Sequence, residues 1–235
     1  YGSKFTHDRE SARPAYYRVY LERYGVDVEL TSTLRAAYHR YTWDKAGERS
    51  VLFNLPRSNE RVNDYAIKQE SETVCSGYQR TGRQTVYFYA VANAKVVSIE
   101  EIIENKGGVI RDCPDAAGAE HYYHRRYTAP IPVVRFEDSS KPLELKIGFS
   151  FVSVDGAKKN LEAEMIDKTF EQVKKEGNAI WNGMLAKINV EGGSQKQKNL
   201  FYTTMYRSLL WPALRSDVDS CFTDPKGNIR KQDFH

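Results

Sequence analysis

From Ala15 to Val154 the chain reads as strands. Ala15, Tyr17, Val19 and Leu21 alternate with Tyr16, Arg18, Tyr20 and Glu22, the period of two that gives a strand one apolar and one polar face. Tyr24 and Gly25 interrupt the pattern, and Val26, Val28 and Leu30 resume it as far as Thr31. Further strands are predicted over residues 35–42 and 50–55, with a turn through 44–47. The series continues at 77–80, 85–92, 109–111, 122–127, 133–136 and 143–154. Short strands divided by turn residues, without strand–helix alternation, predict an antiparallel β-sandwich.

The period changes near Asp155. Residues 157–164 read as a short helix, and Phe170, Val173, Gly177, Ile180, Trp181, Met184, Leu185 and Ile188 then fall on one helical face. Asp167 is the expected N-cap of this second helix, with Thr169 a poorer alternative, and Trp181 is expected in the core. Glu191-Gly-Gly-Ser194 forms a joint, after which Gln195 opens a third helix. Its apolar face is Phe201, Met205 and Leu209, with Tyr202 and Tyr206 on the edge and Pro212 as the stop. The expected fold is mainly β with C-terminal helices: a sandwich over 1–154, linker helices over 155–193, and the start of a helical domain over 194–235. With no initiator Met and an end soon after the third helix, the chain is expected to be a piece of a longer protein.

Composition narrows this only slightly. Forty per cent hydrophobic and 28% charged residues in a 235-residue chain suit a packed globular core and exclude wholesale disorder. No apolar run approaches the ~20 residues that span a bilayer. The net charge of +4 is spread along the chain. Its densest basic spot, His124-Arg-Arg126 among Tyr122, Tyr123 and Tyr127, is too short to track a phosphate backbone, so no nucleic-acid partner is expected. Cys75, Cys113 and Cys221 lack the CxxC spacing of a zinc site and leave at least one thiol unpaired; whether Cys75 and Cys113 pair is open.

Asp217 and Asp219 are the leading functional candidates, because two carboxylates just past a helix suit a metal or sugar hydroxyls; the plainer role is a loop cap. His121 and His124 share a face only if their segment is helical, and the Tyr-rich context favours a strand, hence no metal there. Trp211 has the flat apolar face that stacks on a sugar, although packing at a domain junction is the simpler expectation. Glu100, Glu101 and Glu104 have the spacing of a solvated helical turn.

One set of motifs resembles a known family. Phe5-Thr-His-Asp8, Glu10-Ser-Ala12, Pro14-Ala-Tyr-Tyr17, Val19-Tyr-Leu21 and Tyr24-Gly25 are similar to the opening motif of glycoside hydrolase family 92. In the same order follow Glu29-Leu-Thr31, His39-Arg-Tyr-Thr42, Ile147-Gly-Phe-Ser-Phe-Val-Ser153, Asn160-Leu-Glu162, Val190-Glu-Gly-Gly193, Phe201-Tyr-Thr203 and Asp217-Val-Asp219.

The resemblance implies a sandwich packed on a catalytic (α/α)6 barrel, of which this chain holds only the first part. It also implies calcium-dependent, inverting release of terminal α-linked mannose from glycans, N-glycans included, by a periplasmic or secreted enzyme. The general acid, the general base and most calcium ligands would lie beyond His235, so the chain would hold no catalytic residue and be inactive alone. Asp217 and Asp219 would then be substrate-binding, and His39 a hydrogen-bonding group inside the sandwich. The alternative is a non-catalytic carbohydrate-binding sandwich or a pseudo-enzyme. Two departures stand out. Ala15 replaces a family glycine, and its methyl is expected to forbid a positive φ or a close backbone approach. Ser220 replaces another, with Cys221-Phe222 after it.

Overall fold

The structure, a computed structural model, describes residues 2–82, 84–103, 129–211 and 214–232, together with the backbone of 110–111 and 122–123. The chain begins with β1 (Glu10–Arg13), β2 (Tyr16–Leu21), β3 (Val26–Ser32), β4 (Ala36–Trp43) and β5 (Gly47–Leu52). Next come β6 (Val62–Ser71), β7 (Val74–Thr81), β8 (Gln84–Ala92), β9 (Val96–Ile102), β10 (Ile110–Arg111) and β11 (Tyr122–Tyr123). β12 (Ile131–Ser139) and β13 (Leu143–Ser150) lead into helices α1 (Val154–Glu164), α2 (Phe170–Leu185) and α3 (Gln195–Leu209), and a hairpin of β14 (Cys221–Thr223) and β15 (Ile229–Lys231) follows.

An eight-stranded antiparallel sheet runs in the order β1-β2-β3-β4-β13-β8-β7-β6 and faces a three-stranded sheet, β5-β12-β9. The main core lies between them, where Phe88, Ala90, Leu143, Leu145 and Ile147 meet Val96, Val134 and Phe136. α1 and α2 cover the opposite face. There Ala36 and Tyr38 pack on Leu161, Met165, Phe170 and Val173, with the Tyr38 and Phe170 rings edge to face at 5.3 Å. The sheet is thus apolar on both faces at its centre, which is why the period-two signal is strongest in β2 and β3 and blurs in β13. No helix among the described residues is long and apolar enough to cross a membrane.

The sandwich-then-helix order expected from the sequence is the observed one, with five local corrections. β1, β6, β9, β14 and β15 are strands where none was read, and Glu100 and Glu101 sit in β9 rather than on a helical turn; Glu104 lies outside the described residues. α1 starts at Val154, with Ser153 as its cap. Thr169, not Asp167, caps α2, because Gln172 reaches back to the Thr169 N–H (2.8 Å) while its own N–H donates to Thr169 Oγ1 (3.3 Å). The apolar face of α2 is buried only at Phe170, Val173 and Gly177. Farther on Ile180 is 63% exposed, and Trp181 is half-buried against Tyr206 (4.7 Å between rings) instead of lying in the core.

The fifth correction concerns Ala15. It does take the positive φ, at 61°, and the close approach occurs as well. The glycine that makes room belongs to the partner helix: a Cβ on Gly177 would sit 2.6 Å from the Ala15 Cβ. A left-handed alanine costs about 1 kcal/mol, and the bond from Thr31 Oγ1 to the Ala15 carbonyl (2.8 Å) helps to hold it. We therefore expect Ala15→Gly to raise stability by up to about 1 kcal/mol. Gly177→Ala is expected to lose roughly 1–3 kcal/mol through overpacking. In urea unfolding the double variant should recover most of that loss; simple additivity would show that the two positions do not press on each other.

Candidate functional site

A buried polar cluster sits where the sandwich hands over to the helices. β13 ends at Ser150, and the chain turns into α1 as Ser153 Oγ accepts the Gly156 N–H at 2.9 Å. Gly156 has no space for a side chain, since a Cβ there would lie 2.2 Å from Asp217 Oδ2 and 2.7 Å from Ser150 Oγ. Asp217 thus rests against the bare first turn of α1, the positive end of the helix. Ser150 Oγ donates to its Oδ2 (2.7 Å) and Asn160 Nδ2 to its Oδ1 (2.8 Å), while Asn160 Oδ1 accepts the Val218 N–H (2.8 Å). All three side chains belong to the buried polar set, with Asp217 only 4% exposed.

A second clasp lies beside the first. Arg35, at the start of β4, donates through Nη1 to Glu164 Oε1 (2.7 Å) and through Nε to the Ser216 carbonyl (2.7 Å). Glu164 Oε2 accepts from the Arg35 N–H (2.9 Å) and from Thr33 Oγ1 (2.6 Å). Thr223 Oγ1 donates to the Phe151 carbonyl at 2.8 Å. Between them these bonds fasten the 214–223 segment to β4, β13 and α1. A cleft of ≈ 470 Å³ remains in front of it, walled by Arg35, Leu214, Arg215, Ser216, Val218 and Phe222.

The two aspartates singled out in the sequence occupy different settings. Asp217 has both oxygens committed to the buried network. Asp219 lies nearer the surface, accepting the Cys221 N–H (3.2 Å), with Lys159 Nζ 3.6 Å away. Burial works to raise its pKa, but the Cys221 bond and Lys159 prevail and hold the carboxyl below the ordinary value. Ser220 beside it has a left-handed backbone (φ 67°). Among the described residues no three His, Cys, Asp or Glu side chains converge to hold a metal ion. Asp217, which lines the cleft, and Glu164, which holds Arg35, are already engaged, so this set does not fit a calcium site.

His39 hydrogen-bonds to Tyr41 through Nδ1 at 2.9 Å, and burial of the ring pushes its pKa down to about 4. Near 6.5, the ordinary value, the unfolded chain begins to take a proton that the folded one refuses. Stability from this group is complete above pH 6.5, falls as pH drops toward 4, and changes no further below that. Urea midpoints measured from pH 7 to pH 4 should decline less steeply for His39→Gln than for the parent sequence; equal slopes would refute the buried neutral ring.

Trp211 is 75% exposed and covers no junction within the described residues. His121, His124 and Cys113 lie outside the described residues, and Cys75 and Cys221 are free thiols. Sequence reading assigned no chemistry to Arg35, Ser150, Asn160 or Glu164, the residues that hold the site. Their partners are 57 to 181 positions away, so spacing carried no signal of them.

A sandwich with helices on one face, leading into a further helical segment, defines a two-domain architecture, and sequence comparison identifies it. The family model described as the glycosyl hydrolase family 92 N-terminal domain matches residues 1–150, and that of the family 92 catalytic domain matches residues 156–235. The chain belongs to glycosyl hydrolase family 92. Among solved structures it is similar to the family GH92 α-mannosidase BT3965 from Bacteroides thetaiotaomicron, with 26% identity and a TM-score of 0.78 over 98% of this chain and 31% of that one. The same enzyme in complex with mannoimidazole matches at 25% identity and a TM-score of 0.78, over 98% and 30% of the two chains. The family GH92 glycosyl hydrolase ccman5 shares the fold at 17% identity and a TM-score of 0.78, over 97% of this chain and 32% of its own. The chain therefore spans about a third of the length of these structures. Comparison with curated proteins returns no match.

Proposed function

We propose that this chain is the sandwich and domain-junction portion of a glycoside hydrolase that releases terminal α-linked mannose from glycans. The observation that carries the reading is the 26% identity to an α-mannosidase over 98% of the chain, at a TM-score of 0.78. The proposed mechanism is inverting, with one carboxyl protonating the departing oxygen and another activating water on the far side of the ring, about 6.5–9.5 Å away. Asp217 and Glu164, fixed by Asn160, Ser150 and Arg35, are poorly placed for either task, since a general acid or base must have an oxygen free to face the sugar. In this reading the acid and base are assigned to parts of the parent outside this chain, as are the ligands of the calcium proposed to bind the sugar. Asp219, at the surface of the same segment, is the better placed of the two aspartates to touch a hydroxyl.

The test uses the parent enzyme on α-linked mannobioses. Mannose should appear first as the β-anomer by NMR, vanish on chelation and return with calcium. The 235-residue chain alone should release none. Release by the chain alone, or an initial α-anomer from the parent, would overturn the corresponding part of the proposal.

A further inference from the structure

Between the β1–β2 turn and α3 lies a pocket of ≈ 550 Å³, which shares no lining residue with the cleft in front of Asp217. Two contacts build it. Ala15 against Gly177 seats α2 on the turn, and Trp181 against Tyr206 ties α3 to α2. Asn199, Thr203, Tyr206 and Arg207 recur at three- and four-residue spacing, so they present one face of α3 to Arg13 and Pro14. The volume falls within the roughly 300–1,000 Å³ of small-ligand sites.

Charge selects the ligand class. Arg13 and Arg207 are exposed and line the pocket, and no Asp or Glu does. Neither guanidinium forms an ion pair among the described residues. The arginines of the adjoining sheet differ: Arg18 pairs with Asp27, and Arg40 with Glu29 at 2.7 Å and Glu171 at 2.8 Å. Glu10, the one acid of β1, is taken up by His7 (2.6 Å) and Tyr17 (2.7 Å). From Gly192 to Ser216 the chain carries Lys196, Lys198, Arg207 and Arg215 and no acidic residue, so the α3 side of the pocket has a positive field. Two unmatched cations call for two negative charges, and a guanidinium forks onto paired oxygens. A phosphate monoester meets both needs, with about −1.5 to −2 charges at pH 7 on three terminal oxygens, whereas a carboxylate supplies one charge and one oxygen pair. We infer that this pocket binds a phosphate monoester, with Arg13 and Arg207 holding its oxygens. Asn199 Nδ2 is a further donor, since Asn199 Oδ1 is occupied by Gln195 Nε2 at 2.8 Å. The Tyr206 ring, braced by Trp181, and Pro14 form the wall for the organic part of the ester. No residue of the 214–222 segment lines the pocket, so this site and the release of mannose stand or fall separately.

Calorimetric titration of the parent protein with glucose 6-phosphate, inorganic phosphate and glucose, in phosphate-free buffer, tests the site. Glucose 6-phosphate is expected to bind with a Kd below about 1 mM, weakened at least about fivefold by Arg13→Ala and by Arg207→Ala. Arg207→Lys should retain only part of the affinity, because an ammonium cannot fork. Lys175→Ala removes one positive charge from α2 outside the pocket and should change the Kd less than about twofold. Without phosphate all four variants should melt within about 2 °C of the unsubstituted protein, since these side chains are exposed. Tighter binding of glucose 6-phosphate than of inorganic phosphate supports the ester; inorganic phosphate binding equally well or better would make the free ion the occupant and overturn it. The site itself falls if neither phosphate binds saturably up to about 20 mM, or if glucose binds as tightly as its phosphate. It falls as well if Arg13→Ala and Arg207→Ala leave the Kd unchanged, or if Lys175→Ala weakens binding as much as they do.

Discussion

Replacing Gly148 with alanine is expected to lower the unfolding free energy by about 3 kcal/mol, close to 6–12 °C in Tm for a chain of this size. Gly148 lies in β13 beneath α1, where a Cβ would sit 2.1 Å from the Ala157 carbonyl oxygen and 2.8 Å from the Leu161 Cβ. The first of these is backbone, so no side-chain rotation relieves it. α1 must move as a body, and that opens the contacts of Ala157 and Leu161, 0% and 1% exposed. Gly183→Ala is the control. Nothing lies within 4 Å of a Cβ there, inside α2, and the helix should gain up to about 1 kcal/mol. Equal melting temperatures for Gly148→Ala and the parent sequence would mean that α1 does not seat on β13 as described.

The second large effect is expected at Asp217. Truncation to alanine leaves the Ser150 hydroxyl without its acceptor and Asn160 Nδ2 with only the Phe149 carbonyl, both inside the buried cluster. A buried polar partner left unsatisfied costs about 1–3 kcal/mol, so a loss of about 3 kcal/mol is expected from the pair together. Asp217→Asn, which keeps the shape, should lose less. Asp219→Ala should lose under about 1 kcal/mol, because its contact with Lys159 is a screened surface pair. A urea series on the three variants checks the order, and near-equal losses at 217 and 219 would contradict it.

Strand and helix boundaries were legible where one face was dry and the other wet. β2 and β3 announce themselves through Val19, Val26 and Val28, whereas β6 lies at the sheet edge with few apolar positions, and its run from Val62 to Ser71 has too little contrast to read. β9 was obscured by Glu100 and Glu101, adjacent acids on a strand that is buried mainly at Val96. The Thr169 cap was readable, since Thr-x-x-Gln is a capping-box signature, and the acidic Asp167 distracted from it. Ala15 shows the limit of local argument: the room for its methyl is left by Gly177, 162 residues away in sequence. The site was legible only as Asp217 and Asp219. Which of them the fold consumes is decided by Ser150, Asn160 and Gly156, and nothing in the local spacing around residue 217 points to those positions.

The place of β13 in the sheet has a consequence for how the chain is made. It is the last strand of the sandwich in sequence yet sits at the centre, between β4 and β8, pairing Leu143 with Tyr41 and Leu145 with Ala92. While the ribosome is still short of residue 150, β1–β4 and β6–β8 can form only as two separate meanders. Each then presents an unpaired inner edge, at β4 and at β8, for the seconds that translation of the intervening residues takes, at about 5–20 residues per second. Such edges invite pairing with other nascent chains. The central strand closes both at once on arrival, so the hazard in biosynthesis is concentrated in the interval before Leu143–Ser150 emerges.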